Sequence, residues 1–233
     1  MAKKIAVFGD SILKGAVTGY SDHLFDILPE NSLTLAQKVL GFELFNDSVF
    51  GSTITKSQKR LNKFFEKGEK ADIVIIESGG NDSDYDWAQV AADPKNPELK
   101  PRTPLADYMR ILSEMVQTAK ANGAFPVVMT MPSLVADRWY NHITRTLDET
   151  GKSNVNSFLG ENPIDKLSKN HEVYNLNLME YCFKKGIFMI DMRKALLEAP
   201  DYRALMCQDG IHPNQNGYQY MSKVWEQILP EIL

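Results

Sequence analysis

The four residues Ile73, Val74, Ile75 and Ile76 constrain this chain more than any other run. A strand with one face in water alternates apolar and polar side chains, and this run has no polar position. It suits a strand covered on both faces, as in a parallel sheet with helices above and below. Further short apolar runs lie at 4–8 (KIAVF), 42–46 (FELFN), 126–131 (PVVMTM) and 187–190 (IFMI). Segments with helical spacing separate or follow them, at 32–40, 55–67, 105–122, 173–185 and 215–229. In 105–122, Leu105, Met109, Leu112, Met115, Val116 and Ala119 share one side, and Gly123 follows as the C-cap residue. Short apolar strands alternating with helices predict an α/β fold: three α/β/α layers around a parallel sheet of about five strands.

The length of 233 residues suits one such domain. No linker, repeat or low-complexity tract marks a second, so residues 1–233 are expected to form a single domain. Segments 83–104 and 133–172 are too long for simple connections. They are expected to be loop insertions overhanging the carboxyl edge of the sheet, with part of 137–150 helical. Lys plus Arg is 26 and Asp plus Glu is 30, a net charge of −4, which offers no basic surface to nucleic acid. No apolar run reaches the roughly 18 residues of a membrane span. Residues 1–11 read as a first strand ending at Gly9-Asp10-Ser11, not as a signal peptide. The expected location is cytoplasmic, or secreted if a leader has been removed. Cys182 and Cys207 do not make a disulfide framework and are expected to pack. His23, His142, His171 and His212 form no His-x-x-x-His pair, so no metal site is expected.

Chemistry is concentrated where strands end. Ser11 follows the first strand directly, inside Gly9-Asp10-Ser11. It reads equally as a helix cap or as a nucleophile exposed on a tight turn. Asn81, in Gly79-Gly80-Asn81-Asp82 after the apolar strand, supplies an amide donor suited to an oxyanion, or an Asx turn. Gly51 lies in a loop opened by Asn46 and could bring a backbone N–H against a ligand. Asp209 and His212, in Asp209-Gly210-Ile211-His212-Pro213, are spaced so that a carboxylate can orient an imidazole across one turn. An ordinary Asp-Gly turn with a surface histidine is the alternative. The chain has neither a Gly-x-Ser-x-Gly elbow nor the glycine-rich phosphate loops of nucleotide binders.

Taken together and in order, the four blocks resemble the GDSL/SGNH hydrolase superfamily of esterases and lipases. The resemblance spans nearly the whole chain. It implies a flavodoxin-like fold, with Ser11 as nucleophile, His212 as base and Asp209 as the acid that orients it. The oxyanion hole would be the Ser11 and Gly51 N–H groups with the Asn81 amide. No metal or organic cofactor is implied. Within the superfamily the chain is most similar to carbohydrate acetylesterase-type members, through the insertion after Asn81, the Gly79-Gly80 pair and Thr130-Met131-Pro132.

The expectation is a serine hydrolase cleaving acetyl esters on a carbohydrate. A lipase-like, lysophospholipase-like or general carboxylesterase is the alternative, and a non-catalytic binding module the reading from another class. Asp10, Trp87, Trp139, Tyr140 and His142 are candidate substrate-binding residues, the aromatic ones as a sugar platform or as anchors for their loops. A mostly open, polar cleft with aromatic sides, not an enclosed acyl tunnel, is expected from the polar composition of 83–104 and 133–172. The partner is a small-molecule or oligosaccharide ester, not nucleic acid or membrane, and homo-oligomers are left open. Asn46-Asp47-Ser48 and Asn81-Asp82-Ser83 match the glycosylation acceptor pattern; a glycan on Asn81 would block the oxyanion role, which fits a bacterial or otherwise unglycosylated chain.

Overall fold

The computed structural model describes residues 2–19 and 24–233; His23 lies outside them. The chain runs through β1 (Lys4–Phe8), α1 (Ser11–Lys14), β2 (Ala16–Val17), β3 (Asp26–Ile27), α2 (Ser32–Leu40) and β4 (Glu43–Asn46). It continues through α3 (Ile54–Glu66), β5 (Ile73–Ile76), α4 (Gly80–Ser83), α5 (Trp87–Ala92), α6 (Leu105–Ala121) and β6 (Phe125–Met129). Then come α7 (Ala136–Thr144), α8 (Glu149–Leu159), α9 (Pro163–Lys185), β7 (Phe188–Ile190), α10 (Met192–Leu197) and α11 (Gln215–Ile228).

Five strands form one parallel sheet in the order β4-β1-β5-β6-β7. The strands expected from the sequence are these five. Successive side chains divide between two cores. Ile5, Val7, Ile73, Ile75, Val127 and Met129 meet α2, α10 and α11 on one face. Ala6, Phe8, Val74, Ile76 and Val128 meet α3, α6 and α9 on the other. That is why β5 carries no polar position: both sides of its pleat are covered. The three α/β/α layers are therefore as expected.

Local chemistry sets the helix ends. Asn31 Oδ1 accepts from Leu33 N and Thr34 N, both at 3.1 Å, at the start of α2. Thr53 makes no side-chain cap for α3; the carboxylate of Asp82, from the next strand's loop, accepts from Ile54 N at 3.0 and 3.1 Å. Trp225 of α11 is fully buried and donates from Nε1 to Ser32 Oγ at 3.1 Å, tying the last helix to α2. Among the described residues no helix is long and apolar enough to cross a membrane. Cys182 and Cys207 are both free and buried.

The expected loop insertions are corrected by the structure. Segment 133–172 is mostly helix (α7, α8 and the first turns of α9), and 83–104 contains α5. α9 begins at Pro163, ten residues before the expected start, with the proline in its first turn where no N–H is needed. These helices were hard to read because their apolar residues bury against one another and not against the sheet. Val90, Ala136, Ile143, Val155, Leu159 and Leu167 form a third, separate cluster.

Truncating Trp225 removes the largest fully buried side chain and leaves Ser32 without its partner. Trp225→Ala is expected to lower unfolding free energy by about 3–5 kcal/mol, measured by denaturant titration. A loss under about 1 kcal/mol would mean that α11 contributes little to the fold.

Candidate active site

The strand register brings distant blocks together. Val7 pairs with Asn46 on one side, and Phe8 pairs with Ile76 on the other, so the segments after β1, β4 and β5 leave the same edge of the sheet. Ser11 opens α1, whose start is capped by Asp10 Oδ1 accepting from Ile12 N at 2.8 Å. The β4 loop is braced by Asn46, which donates from Nδ2 to Leu13 O at 2.8 Å and accepts from Ser48 N at 3.0 Å. Asn81 sits in α4, just past β5. The fourth block arrives from the loop before α11. Gly210 is required there: its φ is +79°, and a Cβ would lie 2.4 Å from Val135 O.

Three of the expected residues form one hydrogen-bonded chain. His212 Nε2 lies 2.9 Å from Ser11 Oγ, and His212 Nδ1 lies 2.6 Å from Asp209 Oδ2. The second Asp209 oxygen accepts from the backbone N–H groups of Ile211 and His212, each at 3.1 Å. Burial works to raise the Asp209 carboxyl, but its hydrogen bond to His212, the His212 charge and those two N–H groups hold it below the usual carboxylate range. An ionised Asp209 fixes the His212 tautomer with Nδ1–H toward the carboxylate and Nε2 free to accept from Ser11.

Ser11, Gly51, Asn81 and His212 all line one cavity of about 280 Å³. Gly51 has a φ of +65° and no neighbouring group where a side chain would project. Asn81 Nδ2 donates to Asp10 Oδ2 at 2.9 Å. Asp10, Trp87, Trp139 and His142 also line the cavity. Trp87 Nε1 donates to Asp84 at 2.8 Å and Trp139 bonds the same carboxyl, which burial pushes up to about 6. His142 stacks on Trp139 at 5.3 Å, and burial lowers its pKa. Tyr140 is not part of the lining; its hydroxyl donates to Asn156 Oδ1 at 2.6 Å and joins α7 to α8.

The expected polar cleft is corrected as well. Much of the lining is Phe25, Phe50, Tyr85, Trp87, Met131, Leu134, Phe158, Leu159 and Leu167. Because the segment is largely helical, its apolar residues Leu134, Trp139, Phe158, Leu159 and Leu167 reach the lining beside the polar Ser133, His142, Lys166, Asn170 and His171. Sequence reasoning also missed residues that shape the site. Phe25 and Phe50 pack on the His212 ring at 5.4 and 5.9 Å. His171 lines the far part of the cavity, its Nδ1 buried without a hydrogen-bond partner. Glu77, buried at the end of β5, carried a visible signal: a carboxylate closing a continuously apolar strand.

Residues 7–220 match the GDSL-like Lipase/Acylhydrolase family. The chain belongs to that family. As a GDSL-family protein it is a carboxylic ester hydrolase with a small-molecule ester substrate. No curated protein matches the chain. Solved structures share the fold. A lipase/acylhydrolase from Enterococcus faecalis is 21% identical, with a TM-score of 0.63, over 98% of this chain and 96% of that one. An acetyl-xylooligosaccharide esterase variant from Geobacillus Stearmophilus is 20% identical, with a TM-score of 0.64, over 99% and 94%. The psychrotrophic esterase EstA from Pseudoalteromonas, inhibited by monoethylphosphonate, is 16% identical, with a TM-score of 0.61, over 98% and 97%.

One pH effect follows from the cavity wall. Burial, helped by the Arg193 charge, holds the His171 pKa down at about 3, against 6.5 for a free imidazole. Between those values the unfolded chain binds a proton that the folded chain refuses. Stability from this group is full above pH 6.5 and falls as pH drops toward 3. His171→Leu should therefore reduce the slope of unfolding free energy against pH in that window by about 1.4 kcal/mol per unit. Parallel curves for the two proteins would show that His171 titrates normally.

Proposed function

We propose that Ser11 is the nucleophile of an ester hydrolase, His212 its general base and Asp209 the group that orients that base and stabilises its protonated form. The observation that carries this reading is the unbroken chain from Asp209 through His212 to Ser11, opening on the cavity. Ser11 Oγ attacks the ester carbonyl carbon while its proton passes to His212 Nε2. The carbonyl oxygen takes the negative charge and is held by the Asn81 amide and the N–H groups of Ser11 and Gly51. Collapse of that intermediate breaks the bond to the alcohol, which leaves with the proton from His212. Water then repeats the sequence on the acyl-enzyme and releases the acid. We read residues 1–233 as one domain, with the helical segment at 133–172 a cap on it, because sheet and cap line the same cavity.

The direction of proton transfer orients the substrate. His212 must reach the leaving oxygen, so the alcohol departs on the His212 side, beside Phe25 and Phe50. The acyl substituent is then left the part of the cavity lined by Tyr85, Trp87, Leu134, Phe158, Leu159 and Leu167. Such a lining favours an apolar acyl group longer than acetyl. The competing reading is an acetyl ester on a carbohydrate. Its support is the placement of Trp87 and Trp139 on the cavity wall and the fold shared with an acetyl-xylooligosaccharide esterase.

Ser11→Ala should abolish nearly all kcat on p-nitrophenyl esters while remaining folded. Turnover at the unmutated rate would assign the chemistry elsewhere. His212→Ala should be comparably damaging, and the double variant little worse than either alone, because the two act as one unit. Across acetyl, butyryl and octanoyl esters of one leaving group, kcat/KM should rise from acetyl to butyryl. Burying a methylene is worth about 0.8 kcal/mol, roughly fourfold per added group. A maximum at acetyl, with faster turnover of acetylated sugars, would favour the carbohydrate reading.

A further inference from the structure

The buried carboxyls of Asp10 and Glu77 have no part in the proton transfers proposed above, yet they lie directly behind the Ser11–Asn81 pair. Glu77 is 1% exposed and Asp10 is 2% exposed. Glu77 Oε2 accepts from Asp10 N at 2.9 Å, which brings the two buried carboxyl groups together. The approach depends on Gly9, where a Cβ would lie 2.8 Å from Glu77 Oε2 and 2.9 Å from Ser48 Oγ. Asp10 in turn accepts from Ile12 N at 2.8 Å and from Asn81 Nδ2 at 2.9 Å.

Two neighbouring carboxyl groups buried together oppose each other's ionisation. Burial raises the Asp10 pKa, but Asp10 accepts from two N–H donors and the His212 charge favours its ionised form, so the charge belongs there. The proton belongs on Glu77. Burial, then the Asp10 charge beside it, push its pKa well above the usual carboxyl range, and Asp82 adds to this. A protonated Glu77 both accepts from the Asp10 backbone and donates to the Asp10 side chain. It therefore fixes that carboxylate in one rotamer.

A primary amide is planar. When one N–H of Asn81 is bound to a fixed acceptor, the direction of the other N–H is fixed too. We propose that Glu77 is a positioning residue: through the Asp10 carboxylate it aims the free N–H of Asn81 at the oxyanion that forms on the Ser11 adduct. The inference rests on the reading of Ser11 as nucleophile and Asn81 as oxyanion donor. It assigns to Glu77 and Asp10 a role in the transition state and none in binding the ground state, so kcat should respond and KM should not.

The test is a double-mutant cycle read by steady-state hydrolysis of p-nitrophenyl butyrate. Asn81→Ala should lower kcat by roughly 10²–10³. Glu77→Ala should lower kcat at least about tenfold with KM within about twofold, and Glu77→Gln, a neutral donor of the same shape, should restore most of that loss. The Glu77→Ala/Asn81→Ala double variant should be no slower than Asn81→Ala alone, because Glu77 acts through a group already gone. Losses that multiply, a change confined to KM, or a folded Glu77→Ala with unmutated kcat would each overturn the proposal. If Glu77→Ala does not fold, Asp10→Asn enters the same cycle: it keeps the volume but removes the charge that holds Asn81, and the same non-additivity is required. Ser11→Ala is measured alongside. If it retains activity, the catalytic reading falls and this inference with it; if it is inactive while the cycle multiplies, only the role of Glu77 falls.

Discussion

Strand β1 lies between β4 and β5, and everything at the site depends on that pairing. In the order β4-β1-β5-β6-β7 the chain leaves β1 in one direction and returns across it in the other, which opens a crevice at the carboxyl ends of β1 and β5. Ser11 stands on one side of the crevice and Asn81 on the other, with the β4 loop and Gly51 beside them. A shift of one residue in the β1–β5 register would exchange the two faces of β5 and carry Asn81 away from Ser11. The same apolar residues that exclude such a slip, Ile73 to Ile76, position the chemistry that follows them.

That position has an electrostatic consequence. Four carboxyls, Asp10, Glu77, Asp82 and Asp209, are buried at the site, the first three within a few residues of the ends of β1 and β5 and the last in the loop before α11. Each is answered differently. Asp209 stays ionised because an imidazole and two backbone donors surround it. Asp82 caps α3 through Ile54 N and is pushed by burial to about 6. Asp10 and Glu77 lie together, and burial with the Asp10 charge raises the Glu77 pKa well above the usual carboxyl range. The half-buried Arg60 donates to Gly9 O at 3.0 Å and to Asp47 O at 3.0 Å, bracing the loops behind the site. The network holds together through backbone N–H groups whose directions the fold fixes, so its geometry is as rigid as the sheet.

Much of this was legible in the sequence, for physical reasons that differ by element. The five strands could be read because each is short, apolar and bounded by glycine or polar residues. Ser11, Asn81 and the Asp209–His212 pair could be read because polar residues directly after buried strands have few places to go. The cap could not. The apolar residues of α8, such as Val155 and Leu159, face other cap residues, and Gly151 inside α8 weakens its helical signal. Those helices exist because they pack on one another, which periodicity along one segment does not report. Phe25 and Phe50, in loops distant from the last block, reach His212 only through the tertiary fold.

The third apolar cluster also separates two tasks. Its residues pack among α5, α7, α8 and α9, apart from the two cores on the sheet. A substitution in the cap can therefore reshape the cavity wall at Phe158, Leu159 or Leu167 without touching the residues that hold β1 against β5. Conversely, Gly210 and Val135 lock the start of α7 to the loop bearing Asp209, through Val135 N donating to Gly210 O at 2.8 Å. The cap is thus free to vary along the cavity wall and tied down where it meets the loop bearing Asp209 and His212. The wall at Phe158, Leu159 and Leu167 belongs to the part of the molecule whose packing is local, and Ser11 and Asn81 to the part built on the sheet.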